Sequence, residues 1–201
     1  MTRFRAVLDA CVLVPASQTD TLLRLGAAGL YHPLWTSLIL REVDMALERV
    51  HPRLAADRRS RRFQNMNQAF PNASVSGWER LLPGLALPDE GDLHVLAAAI
   101  EAGADVIVTS NIRDFPAQAL EHHDISVLTP DAFLVSQLEQ EPARVIDVLN
   151  RQAAETSAPP LSVEAILNRL ELCGNRRFTA MAREHLSRSG HSALPRPGSL
   201  L

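Results

Sequence analysis

The sequence contains no lysine, only two cysteines and no long hydrophobic run, and the last two features each exclude a class of protein. Cys11 and Cys173 lie far apart and lack metal-ligand spacing, so neither a disulfide framework nor a zinc knuckle is predicted. No stretch approaches the ~18 uninterrupted apolar residues of a membrane span, and no secretory hydrophobic segment precedes Asp9. We therefore expect a cytoplasmic protein without membrane contacts.

All 20 basic residues are arginine, and the 23 acidic residues outweigh them to give a net charge of −3. This balance differs from the basic excess that is typical of nucleic-acid-binding proteins, so local charge has to be considered instead. Arginine suits phosphate recognition, but GC-rich codon usage is the simpler explanation for its exclusive use. The chain has 201 residues, of which 46% are hydrophobic and 21% charged, which is enough for one globular domain with an appendage.

Short apolar runs alternate with helical patterns up to Leu128. The runs predict strands at residues 5–14, 34–36, 105–109 and 125–128. Helices are predicted at residues 19–29, 38–50, 53–70, 77–82 and 116–122, and from Asp92 to a capping Gly103. Because strand and helix alternate, the pattern predicts an α/β fold with a parallel sheet.

From Pro130 onward the patterns are helical only, at residues 131–140, 142–154, 163–172 and 177–186. The predicted organisation is an α/β domain over residues 1–137, a helical extension over residues 138–189 and a flexible tail over residues 190–201.

Four acidic side chains, Asp9, Glu42, Asp92 and Asp114, each lie where an apolar run ends or near the start of a predicted helix. In a parallel α/β fold the strand ends open into one crevice, so carboxylates distant in sequence can converge there. Such carboxylates repel one another unless a divalent cation such as Mg²⁺ or Mn²⁺ lies between them. Metal-assisted hydrolysis of a phosphodiester is the leading hypothesis.

Each acid also has a structural explanation. Asp92 can complement a helix dipole, Glu42 can belong to a solvated helix face, and Asp114 can start a turn. Asp9 differs because a carboxylate inside an apolar strand is costly to bury without a partner, which favours a functional role. His94 lies two residues after Asp92, so the two side chains point to different faces, and we assign it no metal role.

A second candidate feature is a group of arginines that would contact RNA phosphates. Its members are Arg53, Arg58, Arg59, Arg61 and Arg62. Phosphate contacts provide most sequence-independent affinity for nucleic acid, although a solvated helix face explains the same pattern. Trp35 and Phe63 are candidates for stacking on a base, or for the core.

The segment PDEGDLHVLAAAIEAGADVIVTSNIRDFP at residues 88–116, with LDACVL around Asp9 and ILREV around Glu42, resembles the PIN domain of VapC-type toxins. The resemblance covers roughly residues 4–137. It implies a three-layer α/β/α domain whose acids hold Mg²⁺ or Mn²⁺ and cut RNA. Asp9, Glu42, Asp92 and Asp114 match the family's acids. Asn111 replaces an acid found in many members, and it would donate to a phosphate oxygen or orient a carboxylate.

The resemblance further implies the toxin half of a type II toxin-antitoxin pair, with single-stranded RNA or a tRNA loop as substrate. A cognate antitoxin and a homodimer are the implied partners. Two alternatives stay open: a PIN-like RNA-processing nuclease without an antitoxin, and a non-catalytic module that binds RNA or protein, for which Asn111 is suggestive.

Overall fold

The computed structural model describes residues 4–156 and 159–191, with side chains as far as Arg188. Four strands form its centre: β1 (Arg5–Leu8), β2 (His32–Leu34), β3 (Val106–Val108) and β4 (Ser126–Leu128). They lie in the order β2-β1-β3-β4, and every neighbouring pair is parallel. The predicted parallel sheet is confirmed.

Helices connect the strands and continue beyond them. They are α1 (Ala10–Leu13), α2 (Ala16–Ala27), α3 (Ser37–Val50), α4 (Ala56–Ala69), α5 (Leu93–Ala102), α6 (Ala117–Leu120), α7 (Pro130–Gln140), α8 (Pro142–Glu155), α9 (Val163–Leu172) and α10 (Arg176–His191). Short 3₁₀ helices cover Trp78–Gly84, Glu90–Asp92 and Ile112–Asp114. Within the described ranges, none of the helices combines the length and apolar character that crossing a membrane requires.

The two central strands have no solvent-facing side. Ala6, Val7 and Leu8 of β1 and all three residues of β3 are fully buried. A strand buried on both faces needs a helical layer on each side of the sheet. Helix α5 packs against β1 and β3, and its small residues allow a close approach. The protein therefore has the three-layer α/β/α fold that the sequence predicts.

The first strand is shorter than predicted. The apolar run from Arg5 continues to Val14, but the strand ends at Leu8, and Ala10–Leu13 form α1. Pairing with β3 ends at Leu8 and Val108, and the Asp9 side chain then accepts a hydrogen bond from the Ala10 amide. This local bond starts a helix, so the prediction of a strand over residues 5–14 is wrong beyond its first half.

The other predicted elements occur with shifted ends. Helix α4 begins at Ala56 rather than Arg53, because a turn closes between His51 and Leu54. The segment predicted as a short helix at residues 77–82 is the 3₁₀ helix Trp78–Gly84. Gly103 has a φ of 57° and ends α5, as expected for a helix-capping glycine.

The helical extension packs against the α/β domain. Helices α8 and α9 contact α2, and α10 contacts α7. Phe133 of α7 lies edge-on to the buried Tyr31, with ring centroids 4.8 Å apart. The predicted boundary at residue 137 falls inside α7, and the division of the chain into an α/β domain and a helical extension stays a prediction. The predicted tail at residues 190–201 begins inside α10, and from residue 192 it lies outside the described residues.

A buried polar network fixes how the extension meets α2. Thr21 donates to Gln152 over 3.0 Å, and Gln152 in turn donates to Asp20 over 2.9 Å. Further along the same interface, the Asn175 amide donates to Gln18 over 2.8 Å. Buried hydrogen bonds of this kind are sensitive to geometry, so they favour one alignment of α8 on α2.

Replacing Gln152 by alanine should therefore destabilise the protein. The change removes the side-chain hydrogen bonds that join Gln152 to Thr21 and Asp20. The buried Thr21 hydroxyl keeps the Ser17 carbonyl as an acceptor, so we expect the free energy of unfolding to fall by about 1–2 kcal/mol. Urea denaturation measures this. Gln140→Ala, on an exposed position of α7, is the matched control and should have little effect. Equal stability of the two variants would show that the network does not hold the extension.

Candidate active site

Asp9 lies at the carboxyl end of β1 and is only 4% exposed. Its Oδ1 accepts from the Ala10 amide over 2.5 Å. Its Oδ2 accepts from the Thr109 hydroxyl over 2.7 Å and from the Cys11 thiol over 3.0 Å. Three donors therefore hold this carboxylate in one orientation.

Thr109 and Cys11 connect Asp9 to the loop that follows β3. The fully buried Thr109 hydroxyl accepts from the Asn111 amide over 3.0 Å while it donates to Asp9. Burial and the negative charge of Asp9 raise the pKa of the Cys11 thiol to about 11. The thiol is thus protonated at neutral pH and acts as a donor. This network orients Asp9 and joins it to the turn that carries Asn111.

Asp92 is the most strongly perturbed of the predicted acids. Burial, followed by repulsion from Asp9, Asp114 and Asp89, raises its pKa from 3.8 to about 6. Its Oδ2 is buried and has no hydrogen-bond partner among the described residues. Burial and the neighbouring negative charges thus outweigh the favourable effect of His94 on this carboxylate.

Glu42 faces the same region from α3. Its Oε1 lies 3.0 Å from Nε2 of His94, and the Glu42 side chain is 32% exposed. His94 itself is buried, with its ring beside Trp78. The contact with Glu42 was not predicted, because the sequence places His94 near Asp92 but does not show which residues of α3 it meets.

One cleft brings most of the predicted residues together. Asp9, Glu42, Asp92 and Asn111 line it, together with Cys11, Met45 and Arg49. Asp114 is not among the lining residues, but its charge acts on Asp92. Arg49 was missed by the sequence analysis, although a signal exists. It follows Glu42 by seven residues, two helical turns later on the same face of α3.

The donor set of the cleft suits a hard cation. Carboxylate oxygens are the ligands that Mg²⁺ and Mn²⁺ favour, and a cation beside Asp92 would relieve the repulsion that raises its pKa. In the described part of the chain, however, no three histidine, cysteine, aspartate or glutamate side chains are grouped as a ready metal site. The cleft therefore fits a divalent ion in charge and ligand chemistry, while its side chains are not assembled around one.

The predicted arginine patch divides into three parts: the buried Arg59, the exposed Arg53 in the turn before α4, and Arg58, Arg61 and Arg62 beside a groove. Arg59 is 6% exposed and pairs with Asp44 at 2.6 Å and Glu48 at 3.4 Å, so its assignment to a surface RNA-binding patch is wrong. Both of its partners lie on α3, so the sequence of α4 alone could not predict these ion pairs. By contrast, Arg58, Arg61 and Arg62 line a largely apolar groove between α2 and α4.

The aromatic residues suggested for base stacking belong to the interior. Trp35 is fully buried, and its indole nitrogen donates to Asn67 over 2.9 Å, so a stacking role for it is wrong. Phe63 packs against the core.

The fold and the cleft together define a class of protein: an α/β/α domain with carboxylates lining a cleft at the carboxyl ends of its parallel strands. Residues 5–113 match the PIN domain family, and the chain belongs to that family. Residues 130–184 match the family described as the VapC50 C-terminal domain. The predicted resemblance to VapC-type PIN proteins with a C-terminal extension is confirmed.

One relative is the Mycobacterium tuberculosis protein named "Putative ribonuclease VapC50", which is 38% identical over 79 residues. The aligned stretch is 39% of this chain and 47% of the relative, so the match spans about half the length of that protein. No solved structure matches the chain.

Proposed function

We propose that this protein is an endoribonuclease that depends on Mg²⁺ or Mn²⁺ and serves as the toxin of a type II toxin-antitoxin pair in the cytoplasm. The observation that carries the proposal is Asp92, whose buried oxygen lacks a partner and whose pKa is raised beside Asp9 and Asp114. Family membership and the relative named as a ribonuclease support the same activity.

Asp9 and Asp92 would hold the ion, with Glu42 and Asp114 as further ligands. When bound, the ion supplies a Lewis acid that polarises the phosphodiester and lowers the pKa of a coordinated water. The protein's own groups perform the rest. Thr109 and Cys11 keep Asp9 oriented, and Asn111 at the rim of the cleft is placed to donate to a phosphate oxygen.

The substrate in this proposal is single-stranded RNA or a tRNA loop. A flexible single strand of RNA can enter an open cleft more easily than a base-paired duplex can. Met45, at the rim of the cleft, is 55% exposed. The proposed partners are a cognate antitoxin, which would cover the cleft and neutralise its acids, and a second copy of the chain in a homodimer.

The direct test uses the purified protein with single-stranded RNA and tRNA. We expect cleavage with Mn²⁺ or Mg²⁺, loss of cleavage with a chelator, and recovery when the metal is restored. Sequencing of RNA ends after induction in cells would identify the target. An adjacent small gene whose product binds and inhibits the protein would establish the antitoxin.

A second candidate is a non-catalytic PIN-like module that binds RNA or protein. Two points favour it: the family resemblance implies an acid where this chain has Asn111, and the carboxylates in the described residues do not form a ready ligand group. Calorimetry with Mn²⁺ separates the candidates, because the module should show no carboxylate-dependent heat. A processing nuclease without an antitoxin would also give carboxylate-dependent heat with Mn²⁺. It would differ from the toxin because no adjacent gene would encode an inhibitor.

Arg49 offers a further test of RNA binding at the cleft. It is exposed and lines the cleft beside the acids, so we propose that its side chain contacts an RNA phosphate next to the cleaved bond. Arg49→Ala should raise KM about three- to tenfold and reduce the salt dependence of RNA affinity by about one phosphate contact. Affinity measured over a salt series gives this slope.

Arg41→Ala is the matched control, since Arg41 is an exposed arginine of the same helix that does not line the cleft. Equal effects of the two substitutions would contradict a specific role for Arg49. The same titration with Arg53, Arg58, Arg61 or Arg62 replaced would show which of them reach more distant phosphates.

A further inference from the structure

The partly buried contact between His94 and Glu42 joins two parts of the cleft that are 52 residues apart in sequence. Nε2 of His94 lies 3.0 Å from Oε1 of Glu42. His94 is on the first turn of α5, immediately after the turn that carries Asp92, whereas Glu42 is on α3. This one hydrogen bond therefore ties the helix that carries Glu42 to the segment that carries Asp92.

The direction of the hydrogen bond follows from chemistry. A carboxylate can only accept, so Nε2 carries the proton and donates to Glu42. The other ring nitrogen, Nδ1, is buried and has no hydrogen-bond partner among the described residues. A leucine at this position would fill the space beside Trp78 without burying an unsatisfied nitrogen. Packing alone thus does not explain a histidine here, but its Nε2 donor does.

Glu42 needs an anchor of this kind. Its side chain has several rotatable bonds and is about one-third exposed, so without a partner it would sample many orientations. The bond from His94 occupies Oε1 and leaves Oε2 as the available ligand. It holds the carboxylate at the cleft before any ion arrives, which lowers the entropic cost of binding one.

We infer that His94 is a positioning residue that holds the Glu42 carboxylate at the acidic cleft and thereby sets the affinity of the cleft for a divalent cation. The inference rests on the proposed function, because it assumes that the cleft binds such an ion. It assigns His94 no contact with the ion or with RNA. All of its effect passes through Glu42.

Mn²⁺ titration calorimetry on the full chain tests this in the absence of RNA. His94→Leu removes the donor, and we expect Mn²⁺ affinity to fall about tenfold. His94→Gln keeps an N–H group near the position of Nε2, and affinity should return to within about threefold of wild type. In a Glu42→Gln background, His94→Leu should change nothing further, because the carboxylate on which it acts is gone.

Val95→Ala is the control for general loss of stability. Val95 is fully buried on the same helix, and its side chain has no acid to position. Urea denaturation of each variant without metal measures stability separately from Mn²⁺ affinity. The same measurements on the two single variants and the double variant show whether His94 and Glu42 are energetically coupled in the metal-free protein.

Three results would overturn the inference while the proposed function stands. They are unchanged Mn²⁺ affinity in His94→Leu, an equal loss of affinity in Val95→Ala, and additive losses in the double variant. If wild-type protein gives no Mn²⁺ heat at all, the proposed function fails and the inference fails with it. That result is recognised before any His94 variant is measured.

Discussion

Replacing Asp9 by asparagine should reduce RNA cleavage at least about a thousandfold while the fold stays intact. The asparagine has nearly the same shape, and its one side-chain oxygen can still accept from Thr109, whereas the bond from the Ala10 amide is lost. It also lacks the negative charge that would hold the ion. Losing several kcal/mol of transition-state stabilisation corresponds to a loss of this size. Cleavage of a labelled RNA measures the rate, and circular dichroism checks the fold.

Asp105→Asn is the matched control for this experiment. Asp105 is an exposed acid that precedes β3 and accepts from the Arg5 amide, so it lies at the opposite end of the same two strands. The control should cleave RNA at the wild-type rate. If Asp9→Asn also cleaves at that rate, the proposed mechanism is wrong.

Replacing Asp92 by asparagine should have opposite effects on activity and on stability. We expect cleavage to fall about a hundredfold or more, because a ligand is lost. At pH 7.5 without metal, however, the variant should be more stable than wild type by about 1 kcal/mol. The shift in pKa from 3.8 to about 6 corresponds to ~3 kcal/mol, and solvent screening of this partly exposed side chain reduces that figure.

The pH dependence gives the sign of this effect. The pKa of Asp92 is higher in the folded protein, so between about pH 4 and pH 6 the folded state binds more protons than the unfolded chain. The contribution of Asp92 to stability is therefore complete below pH 4 and is lost as the pH rises through 6. Wild type and Asp92→Asn should have similar stabilities at pH 4 and differ at pH 7.5. Urea denaturation at both pH values measures the difference.

Glu90→Gln provides the control, because Glu90 is an exposed acid of the same turn and does not line the cleft. It should show little change at either pH. Added Mn²⁺ should stabilise wild type at pH 7.5 and stabilise Asp92→Asn much less. A variant that is less stable than wild type by the same amount at both pH values would contradict the repulsion inferred at Asp92.

Local patterns were sufficient for much of the fold. The run DVIVT predicted the strand containing β3, and the small apolar residues before Gly103 predicted α5 and its end. Both predictions depend only on neighbouring residues in the sequence. A continuous apolar run indicates a buried strand, and a glycine that can adopt a positive φ ends a helix. The strand predicted over residues 5–14 placed Asp9 in its interior, and only the family resemblance implied that Asp9 lies at the end of β1.

Errors arose where a distant partner decides the outcome. Arg59 belongs to a run of arginines that looks solvated in sequence, yet Asp44 and Glu48 on another helix pair with it and make its burial possible. In the sequence, His94 has no feature that distinguishes it from other residues of an apolar helix. The tertiary structure places it in contact with Glu42 of α3. The spacing of residues within one helix predicts neither of these contacts.

The sequence by itself determined the alternation of strands and helices, the parallel sheet and the positions of the acids at the ends of its elements, because these depend on side-chain periodicity and local capping. Only the tertiary structure decided which of these acids share a cleft, which arginines face solvent and which groups hold each carboxylate. The reason is that hydrogen bonds and charge repulsion act over a few Å in space, and the fold alone sets those distances between residues far apart in the chain.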